Sequence, residues 1–192
     1  MEAFRLPSDV LSQAYASSAC LVTYVLIPVA VYRFVPVPEH NYLGLGWGRS
    51  LSYMPFCFVL VTLTMPIAWA IGGTSMINNF YPFYRPIGVR AWLFYEVIYF
   101  IRIFAAEFFF RGFLLFRLEH YIGDIAILVA TVPYVFIHIH KPLPEVLGSV
   151  AAGIFLSALA LESCSLWPGL LLHYAAALFI DLSAAAHTLH RL

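Results

Sequence analysis

The stretch Ala105–Phe116, AAEFFFRGFLLF, sets one carboxylate and one guanidinium into an otherwise apolar run. Glu107 and Arg111 are four residues apart, so on a helix they share a face and can pair. A charge in hydrocarbon is costly, and the surroundings decide how that cost is met. In a soluble core the pair reads as structural, because apolar residues in its place usually fold as well or better. At membrane depth ionisable groups usually mark a reaction site or a pathway.

The rest of the chain puts this stretch in a membrane. Of 192 residues, 62% are hydrophobic and only 10% charged, and the mean hydropathy is +0.87, far from the average soluble domain. The net charge is zero and ten Lys and Arg are scattered, so there is no basic face for nucleic acid. Cys20, Cys57 and Cys164 are far apart and form no CxxC pair, which excludes a zinc knuckle or a disulfide framework. The first apolar run begins late, behind Glu2, Arg5 and Asp9, and no clear small-residue cleavage site follows; a retained first span is expected rather than a removed signal peptide.

A span needs about 20 mostly apolar residues. The sequence offers 15–35, 52–72, 91–118, 124–140, 145–163 and 166–188, so the expectation is a single all-α, polytopic bundle of about six membrane-spanning helices over 1–192. Turn-forming punctuation such as EHYIGD, KPLPE and ESCSLWPG separates the segments. The 91–119 segment exceeds a bilayer core, so it must tilt, kink or project. Ser165 with Pro168 reads as a helix start. Ser149, Gly153 and Ser157 form a small-residue stripe that lets a neighbouring helix approach closely. With six spans, Arg5, Arg85, Arg90, Lys141 and Arg191 fall on one side and Arg33, Arg49 and Arg117 on the other, which leans toward cytoplasmic termini.

Two more polar islands accompany Glu107 and Arg111. PYVFIHIHKPLPE carries His138 and His140, and SLWPGLLLHYAAALFIDL carries His173. At about 1.5 Å of rise per residue from the 119–124 loop, Glu107 lies roughly 18 Å deep, His173 roughly 12 Å and His138 roughly 21 Å, close enough for tilt to bring them together. Lys141 and Glu145 read as an interfacial pair at a helix start, and Glu96 and Arg102 as residues that snorkel or pair locally.

The run EFFFRG, an aromatic residue with histidine four positions later, and SLWPGLLLH together resemble the CPBP intramembrane proteases, the family of CAAX prenyl endoproteases and bacteriocin-processing or immunity proteins. The resemblance covers roughly 91–188 and implies a membrane protein of a bacterial inner membrane whose site glutamate activates water while histidines shape the site. Carried onto this chain it nominates Glu107, Arg111, His138 and His173. Two departures stand out: the family's EExxxR motif has Ala106 in its first glutamate position, and Ala177 stands where a polar residue usually follows the last histidine. Glu107 is expected to serve as base with Arg111 holding it anionic, while Asp181 supplies polarity two turns from His173. Tyr134 with His138 and Phe136 with His140 both fit the aromatic-histidine spacing; Pro142, four residues after His138, selects the former. No cofactor is expected, because HExxH is missing and Arg111 opposes a nearby cation; zinc held by two histidines and a glutamate is the alternative.

The function expected is an intramembrane endopeptidase of glutamic type that cuts a membrane-embedded or lipidated protein near its terminus. A catalytically inactive scaffold or immunity factor is the alternative. Transport is weaker, since no repeated half is visible.

Overall fold

The structure, a computed structural model, describes residues 8–32, 34, 43–78, 80–81 and 89–189. All regular structure among them is helical. Helix α1 (8–32) runs through Ser8–Leu21, a wider π-helical stretch Val22–Leu26 and Ile27–Tyr32. Helix α2 spans Ser50–Gly72, and α3 is the single turn Ser75–Asn78. Helix α4 (89–122) runs through Val89–Glu107, a π-helical stretch Phe108–Leu115 and Phe116–Ile122. Helices α5 (Ile125–Phe136), α6 (Leu143–Ser163) and α7 (Trp167–Leu189) complete the bundle.

Each of the six apolar segments falls on a helix. Four stretches, Leu11–Tyr32, Ser50–Gly72, Leu143–Ser163 and Trp167–Ala186, are long and apolar enough to cross a membrane. Large apolar side chains on them, among them Leu51, Phe58, Leu63 and Leu147, point outward and are exposed, as lipid-facing residues are. This is an all-α, polytopic membrane bundle. Helix α4 is long enough to span but carries several charges, including Glu96, Arg102, Glu107 and Arg111. The orientation expected from basic residues rests partly on Arg5, Arg33, Arg85 and Arg191, which lie outside the described residues.

The fourth segment differs from expectation. It was expected to run to residue 140, but α5 ends at Phe136 and 137–140 form turns. Proline disfavours the helical conformation in the residue before it, so no helix runs on through Lys141 to Pro142, but the end at Phe136 comes several residues earlier. At about 1.5 Å per residue α5 is roughly 18 Å long, well short of a bilayer core of about 30 Å. His138 and His140 therefore sit in a turn below a short helix, not on a full span.

Close approaches fix the rest of the bundle. Ser149, Gly153 and Ser157 are buried on α6. A Cβ on Gly153 would stand 2.6 Å from Thr131 Cγ2 of α5, so only glycine permits this spacing. Helix α2 packs along α7, where a Cβ on Gly72 would come within 2.6 Å of Ser183 Cβ and Ser183 Oγ donates to the Trp69 carbonyl at 2.6 Å. Helix α1 packs on α4, with Ser17 Oγ donating to the Ile98 carbonyl at 3.1 Å.

The segment before α2 plugs the end of the bundle. Leu166 N donates to Gly44 O at 2.9 Å, Arg49 N to Ser163 O at 2.7 Å, and Trp167 Nε1 to Leu45 O at 2.8 Å. Gly48, at φ +47°, lies so close to this turn that a Cβ would stand 2.3 Å from Ser163 O. Trp167 N donates to Ser165 Oγ at 3.3 Å, and Pro168 lies in the first turn of α7. These contacts tie the first turn of α7, which precedes His173, to the segment before α2 and to the end of α6.

Candidate functional site

Glu107 closes the α-helical part of α4, and the π-helical stretch that follows carries Arg111. Wide turns of this kind often occur where a helix serves a site. Both side chains are fully buried, and Arg111 Nη1 donates to Glu107 Oε1 at 3.0 Å. The same oxygen lies 2.6 Å from His173 Nδ1 on α7. A carboxylate only accepts, so Nδ1 carries the proton in this contact and Nε2 lies on the far side of the ring from it.

Tyr134 on α5 joins the other elements to this pair. The Arg111 guanidinium lies over its ring at 3.9 Å, a cation–π contact in a desolvated place. The edge of Tyr134 meets His173 at 6.1 Å between centroids and its ring lies 4.6 Å from that of His138. His138 Nδ1 donates to the Tyr134 carbonyl at 2.8 Å, since a carbonyl only accepts. His138 is thereby turned like His173, with Nε2 as the remaining acceptor.

Two cavities meet at these histidines, one of about 250 Å³ and one of about 240 Å³. Tyr99, His138, Lys141 and His173 line both. The first extends between α2, α6 and α7 and is largely apolar, with Ile71, Ile77, Ala152, Ala177 and Ile180 in its wall. The second extends toward α1, with Cys20, Tyr24, Arg102 and Ala106 in its wall.

Of the four residues singled out from the sequence, His138 and His173 face these cavities. Glu107 and Arg111 line neither and stand behind His173. His140 is exposed and lines neither cavity. Asp181 is fully buried and accepts from Tyr95 OH at 2.7 Å, away from both cavity walls. Ala106 and Ala177, the two departures from the family pattern, each present a methyl group to a cavity. Sequence reasoning passed over Tyr99 and gave Arg102 no role, although both line cavity walls; the i, i+3 and i, i+4 spacing of Tyr99, Arg102 and Ala106 was the available signal. Lys141 pairs with Glu145, whose carboxylate also accepts from Tyr81 OH at 2.9 Å.

A buried carboxylate thus holds an imidazole at the wall of both cavities. Residues 88–179, just under half of the chain, match the family model described as Type II CAAX prenyl endopeptidase Rce1-like. No curated protein and no solved structure matches the chain. The matched segment runs from the start of α4 into α7 and contains Glu107, Arg111, Tyr134, His138 and His173, which supports the CPBP/CAAX protease family and, at that level, a CAAX-type intramembrane protease.

Proposed function

We propose that this protein is an intramembrane endopeptidase that cuts a prenylated or otherwise membrane-anchored protein near its terminus, using water activated by the Glu107–His173 pair. The observation that carries the reading is the 2.6 Å contact between Glu107 Oε1 and His173 Nδ1, with His173 at a cavity wall and Glu107 behind it. The carboxylate fixes the ring orientation and stabilises the imidazolium that forms, as in other carboxylate–histidine arrangements.

In the reaction, His173 Nε2 takes a proton from a water while the water oxygen bonds to the scissile carbonyl carbon. Collapse of the tetrahedral species breaks the C–N bond, and His173 returns the proton to the leaving amine. His138, turned by its bond to Tyr134, offers a second lone pair to the water's other hydrogen. The apolar first cavity suits the lipid or the apolar part of the substrate. No step of this route passes through a metal ion; among the described residues no group of three or more His, Cys, Asp or Glu side chains is placed to hold one.

A second reading, a noncatalytic scaffold or immunity factor, draws on one observation, the methyl groups of Ala106 and Ala177 on the cavity walls at positions that the family fills with polar groups. Purified protein in lipid vesicles, incubated with a prenylated peptide and followed by mass spectrometry, separates the two. A new terminus that disappears with His173→Ala supports the endopeptidase. Binding without a new terminus supports the scaffold.

A further inference from the structure

Tyr99, His138, Lys141 and His173 line both cavities, so they surround the place where the two meet. Each histidine has its Nδ1 committed, His173 to Glu107 Oε1 and His138 to the Tyr134 carbonyl, which leaves each ring only Nε2 for the reaction. In the route above both Nε2 atoms accept, one from each hydrogen of the water. Neither can then donate to the carbonyl oxygen, where negative charge builds as the water oxygen bonds to the carbon. Ala177 presents only a methyl group to the first cavity, Arg102 lines the second cavity alone, and Arg111 lines neither. Tyr99 adds a neutral phenol to the junction, and Lys141 adds a cation. The turn after α5 sets that cation there: Lys141 N donates to His138 O at 2.9 Å, so one tight turn carries both side chains to the junction. The Lys141 side chain, 22% exposed, pairs with Glu145 in the first turn of α6, and the Glu145 carboxylate is itself held by Tyr81 OH at 2.9 Å. An ammonium has three N–H donors and Glu145 takes one of them, so the head of Lys141 is anchored with donors to spare.

We propose that Lys141 is a catalytic residue of this site, its ammonium donating to the oxyanion of the tetrahedral species. This rests on the endopeptidase reading for the reaction. As the water oxygen bonds to the carbonyl carbon, the π pair of the C=O bond moves onto the oxygen, and Lys141 holds that charge by a hydrogen bond while keeping its proton. On collapse the pair returns to the carbonyl, the C–N bond breaks, and the amine leaves with the proton carried by His173. A cation beside a largely apolar, poorly solvated cavity stabilises developing charge far more than it would in water. The neutral carbonyl of the bound substrate gains much less from the same contact, so the effect falls on kcat rather than on KM.

The test uses the full chain in vesicles of neutral lipid and has two arms. In the first, which follows cleavage of a prenylated peptide, Lys141→Met is expected to lower kcat by about 10²–10³-fold, the scale of one lost oxyanion donor, with KM little changed. That variant leaves Glu145 without its cation, so Lys141→Met combined with Glu145→Gln is measured beside it and should fold and stay as slow. The second arm needs no cleavage. It compares binding of two prenylated peptides whose scissile amide is replaced, in one by a phosphinate with an anionic tetrahedral centre and in the other by a neutral ketomethylene. The native protein is expected to bind the phosphinate at least about tenfold more tightly, the scale of one hydrogen bond to a charged group, and Lys141→Met to lose that preference. A folded Lys141→Met protein with native kcat overturns the proposal. So does a double variant that recovers native kcat, because the loss then came from the unpaired Glu145 carboxylate. A rise in KM alone also overturns it and makes Lys141 a ground-state binding group. A phosphinate preference that survives in Lys141→Met, with the native protein still cutting its peptide, overturns the proposal and leaves the endopeptidase reading intact. A Lys141-dependent phosphinate preference in a native protein that cuts nothing upholds the oxyanion site and removes the endopeptidase reading instead.

Discussion

Glu107→Gln isolates the charge of the buried carboxylate from its shape. The amide can still meet His173 Nδ1, but the negative charge that stabilises a protonated imidazole is gone. Losing such help costs about 10²–10⁴-fold in turnover. The substitution also leaves Arg111, which is 1% exposed, without a charged partner, although the amide oxygen can still accept from it and its face contact with Tyr134 stays. That contact exists in both proteins, so it offsets nothing. Breaking a buried pair from one side costs roughly 3–5 kcal/mol, or roughly 6–20 °C in Tm at about 2–4 °C per kcal/mol for a chain of this size. Adding Arg111→Met removes the orphaned charge and should restore most of that stability while leaving turnover low. The assay is paired: thermal unfolding in detergent, and the rate at which a new peptide terminus appears by mass spectrometry. A folded Glu107→Gln protein that cuts at the native rate refutes the reasoning, and Glu107 is then only the structural partner of Arg111.

Three further outcomes can be measured in the same assays. His138→Ala should reduce cleavage at least about tenfold, toward the range of lost acid–base assistance, whereas His140→Ala, at an exposed position, should leave it near native; the reverse order would move the site to the other histidine. Ala106→Glu places a carboxylate in the second cavity beside His138 and His173, and cleavage within a few fold of native is expected because Glu107 already serves His173; a rise of about tenfold or more would show that the native chain lacks its base. Gly153→Val should cost about 1–3 kcal/mol through overpacking against Thr131, read as a lower Tm, and an unchanged melt would mean that α5 and α6 do not rely on this contact.

The sequence by itself determined the class of fold and the identity of the buried polar residues. Long apolar runs interrupted by turn-forming clusters give helices at membrane length, because backbone polar groups in lipid must be satisfied within the segment. The four-residue spacing of Glu107 and Arg111 predicted a pair, and a pair is present at 3.0 Å. The small-residue stripe of α6 likewise announced close packing, since only side-chain size was needed to infer it. What the periodicity of a single helix cannot express is which groups of different helices meet and which of them reach open space. Tertiary packing therefore decided that His173 shares Glu107 Oε1 with Arg111, that α5 stops early and presents His138 from a turn, and that Glu107 stands behind the cavities while Arg102 lines one. Those facts depend on how α1, α4, α5 and α7 are rotated against one another, and that rotation is set by the packing of all of them at once.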